Sequence, residues 1–113
     1  MSEPFDRDAV LARFEHDADL VREMVRLFHE SSAAWLEEVR AALGRGKPQD
    51  AVRVAHTLKG SVGNFLAGEA ATAAARLEKA CRADDLAAAQ AAFATAEAET
   101  QRLNAALNSL LPP

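Results

Sequence analysis

Apolar residues along this chain recur at steps of three and four, the period of amphipathic helices. The longest such stripe is Val21, Met24, Val25, Phe28, Trp35, Leu36, Val39 and Leu43, interrupted only by Ser31 and Ser32. A long helix starting near Asp17 must therefore bury one face. Ahead of it, Asp6 is a suitable cap for a short helix over Arg7 to Phe14. The carboxylates Asp17 and Asp19 are read as caps of the second helix and not as ligands. Gly44, Gly46 and Pro48 then mark a helix stop, a turn and a restart.

The third helix is predicted from Pro48 to Ala67, with Ala51, Ala55, Leu58, Val62 and Phe65 on its buried side. Gly60 and Gly63 lower its propensity, so the missing side chains are expected to have a use. Gly68 opens a break, and a fourth helix follows over Glu69 to Arg82 with Ala70, Ala74, Leu77 and Cys81 inward. Asp84 or Asp85 caps a fifth, whose seam runs Leu86, Ala89, Phe93, Ala96, Thr100, Leu103, Leu107 and Leu110 until Pro112 and Pro113 end it. Such a seam also suits a two-stranded coiled coil, but short joins make sequential helices antiparallel and close them on one another. The predicted fold is all-α: an up-down-up-down antiparallel four-helix bundle with a short extra N-terminal helix, a single domain over residues 1–113.

Composition supports this reading and narrows the function. Alanine occurs 27 times and tyrosine never, which favours helix over strand. The net charge of -4 argues against a nucleic-acid partner, and no apolar run is long enough for a membrane span. The N-terminus lacks a signal-peptide pattern, so a cytoplasmic protein is expected. The single Cys81 fits a small core residue in a reducing compartment.

Three histidines carry the possible chemistry. His16 and His29 read as solvated surface or boundary residues. A di-metal bundle needs Glu-x-x-His pairs, but Arg13, Arg26 and Arg53 stand three residues before the histidines, which rejects it. No nucleophile elbow or strand for a Ser-His-acid hydrolase is visible. His56 differs, because at about 100° per residue the buried stripe of the third helix centres roughly 140° away from it. It should face solvent, with Lys59, Gly60, Gly63 and Ala67 within about 60° on the same strip. An exposed imidazole is a nucleophile suited to a phosphoryl group delivered from outside. Lys59 would offset phosphoryl charge, and the glycines would let a rigid partner approach closely.

The segment AHTLKGSVGNFLA, Ala55 to Ala67, resembles the signature of histidine phosphotransfer (HPt) domains of multistep two-component phosphorelays. The flanking stretches FDRDAVLARFEHDADLVREMVRLF and ARLEKACRADDLAAAQ are similar to that family's neighbouring helices, so the likeness spans nearly the whole chain. It implies that His56 accepts a phosphoryl group from a receiver aspartate or a kinase and passes it to another receiver. It also implies that Lys59 assists and that Gly60 leaves docking space, with Gly63, Asn64 and Ala67 as further partner contacts. No ATP site, cofactor or metal of its own is implied, and Mg2+ would come with the receiver. Sensor or hybrid histidine kinases and response-regulator receivers are the partners expected of a monomer. The start at Met1 and the proline end lean toward a free-standing protein. Members of the family often have glycine where this chain has Leu66, a departure that would either lengthen the third helix or make the nearby surface more apolar. Two competing readings remain: a non-phosphorylated helical interaction module, and a bundle enzyme using His56 as general base.

Overall fold

The structure is a computed structural model that describes residues 3–111. Among them there are helices and no strand. The helices are α1 (Arg7–Arg13), α2 (Ala18–Gly44), α3 (Val52–Gly63), α4 (Gly68–Arg82) and α5 (Leu86–Leu107), with short 3₁₀ turns at Pro48–Ala51 and Asn108–Leu110. The predicted caps are in place: Asp6 accepts from the Ala9 N–H, Asp17 from those of Asp19 and Leu20, and Asp85 from that of Ala88.

Helix α2 packs against α3 and α5, α3 against α4, and α4 against α5, so the four long helices close a ring around one core. Val21, Val25, Val39, Leu58, Val62, Leu77, Leu103 and Leu107 are buried in it. Burying apolar surface is the main force holding such a ring together. Near one end the Phe65 ring lies 6.0 Å from Phe14 and 5.3 Å, edge to face, from Phe28. This cluster holds α1 and the end of α3 to the start of α2. Arg7 adds a tie by donating to the Ser109 carbonyl at 2.7 Å.

The polar gap in the α2 stripe has a structural use. Ser32 is fully buried and accepts from the Asn104 side chain at 3.0 Å, joining α2 to α5. The half-buried His29 extends this link, with its ring nitrogens 2.7 Å from Asn104 Oδ1 and 3.1 Å from Asn108 Oδ1. His29 is thus a boundary residue engaged with α5, and His16 is exposed. Cys81 is in the core, where burial pushes its thiol pKa up.

The third helix is shorter than its sequence pattern. Pro48–Ala51 forms a 3₁₀ turn, the α-helix proper ends at Gly63, and the chain then reverses through residues 64–67. The Ala67 N–H bonds the Val62 carbonyl and the Leu66 N–H that of Gly63, while Leu66 adopts a left-handed φ of 56°. This pair of bonds is the Schellman closure, which satisfies helix-end carbonyls that would otherwise be orphaned. It appears again after α2 and α4, with Gly46 and Asp84 in the left-handed position. Glycine adopts that backbone freely, whereas leucine does so at a cost of roughly 1 kcal/mol. Leu66 therefore does not lengthen the helix. Its side chain is 43% exposed and makes the surface there more apolar.

Candidate functional site

Helix α3 buries Ala55, Leu58 and Val62 and turns His56 outward, leaving its side chain 65% exposed. The imidazole is held from the neighbouring helix. Its Nδ1 lies 3.1 Å from Glu78 Oε2 on α4, and Glu78 is nine-tenths buried, with 10% of its side chain exposed. The same carboxylate receives Lys59 Nζ at 2.8 Å on Oε1 and an Arg82 guanidinium nitrogen at 2.5 Å on Oε2. One buried carboxylate therefore organises an imidazole and two cations.

The electrostatics follow from this packing. Lys59 first, then Arg82, with His56 adding a hydrogen bond, hold the Glu78 carboxyl at a pKa of about 2, against the burial that would raise it. Glu78 is ionised and can only accept, so Nδ1 of His56 must carry the proton it donates. In the neutral ring the lone pair then resides on Nε2, the nitrogen not engaged with Glu78. An imidazole so arranged is a nucleophile with fixed orientation, backed by an anion that stabilises the cationic ring formed on attack.

Glu78 was not among the residues the sequence pattern singled out. Its signal is present: Ala74, Leu77, Glu78 and Cys81 occupy the core-facing spacing of α4, so a carboxylate stands where an apolar side chain is expected. A buried acid requires partners, and Arg82 one turn on is the first of them. That His56 and Lys59 are the others depends on how α3 packs on α4.

Of the remaining predicted contacts, Gly60 and Asn64 are exposed and Gly63 is half-buried. A Cβ at Gly60 or Gly63 would meet nothing within 4 Å, so no packing inside the chain requires glycine there. The open space lies outside the molecule, on the strip beside His56. Ala67 departs from the expectation: it is 1% exposed, because the chain has already left the helical path and turned it into the core. Beside the strip, Met24, Leu27 and Trp35 of α2 and Ser61 and Phe65 of the α3 segment line an open groove of about 100 Å³. Residues 45–82 carry seven Lys or Arg against three Asp or Glu, although the whole chain is at -4. His56 thus sits on the cationic part of an acidic protein.

Comparison with protein families matches the Hpt domain model over residues 23–110. The chain belongs to the Hpt domain family. No curated protein and no solved structure matches it. The matched span takes in α2 from its second turn through α5, and so includes His56, Lys59, Gly60, Glu78 and Arg82. Hpt domains are phosphocarriers of two-component phosphorelays, working with kinases and response-regulator receivers. No helix of the described residues in this Hpt domain is long and apolar enough to cross a membrane.

Proposed function

We propose that this Hpt domain carries a phosphoryl group on His56 Nε2, taking it from a receiver aspartate or a kinase and giving it to a receiver aspartate. The observation that supports this most is the Nδ1 contact to an ionised, buried Glu78, which leaves Nε2 as the free nucleophile. In the forward step the Nε2 lone pair attacks phosphorus and the N–P bond forms. The bond from phosphorus to the aspartyl oxygen breaks, and its electron pair leaves on the donor carboxylate. Nδ1 keeps its proton, and the ring becomes a phosphorylated imidazolium facing Glu78. The return step is the reverse, with a second aspartate as nucleophile.

Lys59 and Arg82 pair with the carboxylate that also holds the His56 ring, and in this reading they turn toward the phosphoryl oxygens as negative charge arrives. Gly60, Gly63 and Asn64 form the low surface on which the partner rests. Magnesium, in this reading, belongs to the receiver partner, and the domain acts as a monomeric unit in the cytoplasm with those partners.

The test is phosphotransfer from a panel of phosphorylated receivers and hybrid kinases to wild type and His56→Gln. An acid-labile label that disappears in the variant is the expected result. A domain that binds receivers yet takes no label from any donor overturns the reading in favour of a non-phosphorylated interaction module.

A further inference from the structure

Arg53 and Lys59 stand three residues before and three after His56, so at about 100° per residue they flank it on opposite sides of α3. Lys59 pairs with Glu78 and marks the side toward α4. Arg53 marks the other side. It is exposed and lines an open cleft of about 430 Å³ with Glu38 of α2 and with Gln49 and Asp50 of the first 3₁₀ turn.

The cations on the two sides are held differently. Lys59 and Arg82 are both bound to the buried Glu78, and Arg45, near the cleft, pairs with Asp50 at 3.6 Å. The Arg53 guanidinium has no hydrogen-bond or ion-pair partner among the described residues, Glu38 across the cleft included. This difference bears on His56. Because Glu78 holds Nδ1 from the α4 side, the ring directs Nε2 away from α4, and a phosphoryl group on Nε2 points away from Glu78 and its two cations. To reach that group Lys59 or Arg82 must leave Glu78, whose buried charge then loses a partner at a cost. Arg53 breaks no pair by turning. Its side chain spans one helical turn, and its planar fork matches two phosphoryl oxygens at once.

We infer that Arg53 is a further catalytic residue, a cation that binds the phosphoryl oxygens on the side of His56 opposite Lys59, both during attack and in the phosphorylated domain. The inference rests on the phosphocarrier reading and deepens it by naming a group in contact with the transferred phosphoryl. Arg53 forms no bond to phosphorus and exchanges no proton. Nε2 supplies the electron pair of the N–P bond, and the leaving group departs with the pair of the bond that breaks.

The experiment measures labelling of His56 by phosphoramidate in wild type, Arg53→Gln and Arg53→Lys at low and at high salt. In that reaction Nε2 attacks phosphorus and ammonia leaves with the electron pair of the broken P–N bond, so no protein partner takes part. Arg53→Gln is expected to slow labelling about tenfold at low salt, less than loss of a buried donor costs, because solvent screens an exposed charge. Arg53→Lys, which keeps the charge, is expected to recover much of the rate. Added salt should slow wild type more than Arg53→Gln and so narrow the gap between them. Melting temperatures should stay the same, since Arg53 is exposed and unpaired. Labelling of Arg53→Gln at the wild-type rate overturns the proposal while leaving the carrier intact. A gap that is equal at every salt concentration, or that Arg53→Lys does not narrow, also overturns it, because the charge would then not be what acts. Failure of phosphoramidate to label His56 in wild type overturns the carrier reading itself, and this proposal with it.

Discussion

The Glu78 carboxylate, held on α4 and nine-tenths buried, stands 3.1 Å from His56 Nδ1 on α3 and so determines which nitrogen of the exposed imidazole is left to react. Glu78→Gln keeps the size and one acceptor of that side chain but removes its charge. It is expected to slow labelling of His56 by phosphoramidate about tenfold or more, because the ring loses the anion facing it when it becomes cationic. Labelling rates for the two proteins across pH 6 to 9 measure this. Equal rates would limit Glu78 to a structural role.

The same carboxylate gives a stability signature. Its folded pKa of about 2 lies below the unfolded value of roughly 4.3. Below the unfolded value the unfolded chain binds more protons than the folded one, so stability falls as pH falls. The contribution is full above about pH 5 and is lost as pH drops toward 2. Melting temperatures at pH 7, 4 and 2.5 should therefore show the gap between wild type and Glu78→Gln narrowing with acid. A constant gap would contradict the ion pairs.

His56→Gln removes the acceptor of the phosphoryl group and is expected to abolish labelling. Since the side chain is 65% exposed, stability should change by no more than about 0.5 kcal/mol. Calorimetry and circular dichroism would check the fold. A large loss of stability would mean that the imidazole is structural.

Lys59→Ala is expected to slow transfer by about ten- to a hundredfold without stopping it, since the ammonium stabilises charge and forms no bond to phosphorus. Single-turnover transfer from one phosphorylated receiver gives the number. An unaltered rate would leave Lys59 as a partner of Glu78 alone.

Gly60 provides a test in which stability and function should part. A Cβ there meets nothing, so Gly60→Ala should stabilise the domain by about 0.5–1 kcal/mol through helix propensity. Gly60→Leu fills the docking space and should impair transfer from a receiver more than labelling by phosphoramidate. Equal impairment of both would show that the glycine does not serve docking.

Much of the site could be read from the chain because helix periodicity is local. The stripe Ala55, Leu58 and Val62 needs only the 100° step to put His56 and Gly60 on the opposite, solvated side, and they are there. Glu78 could not be assigned from sequence, because its contact with His56 spans 22 residues and passes between helices. Ala67 was misplaced for a related reason. The 100° step holds only within the helix, and the Schellman closure ends it ahead of Ala67, at a leucine whose residue type seldom takes the left-handed backbone.

Whatever a residue's near neighbours dictate is legible in the chain: five helices, the caps at Asp6 and Asp17, most of the buried faces and the exposure of His56, while the choice of Asp85 over Asp84 as the last cap came with the fold. What meets across helices follows from tertiary packing: Glu78 beneath His56, Lys59 and Arg82 on one carboxylate, and Ser32 on Asn104. The division has a physical cause. Periodicity sets which way a side chain points from its own helix, but the relative rotation and translation of packed helices set what it finds there, and those follow from the whole core at once.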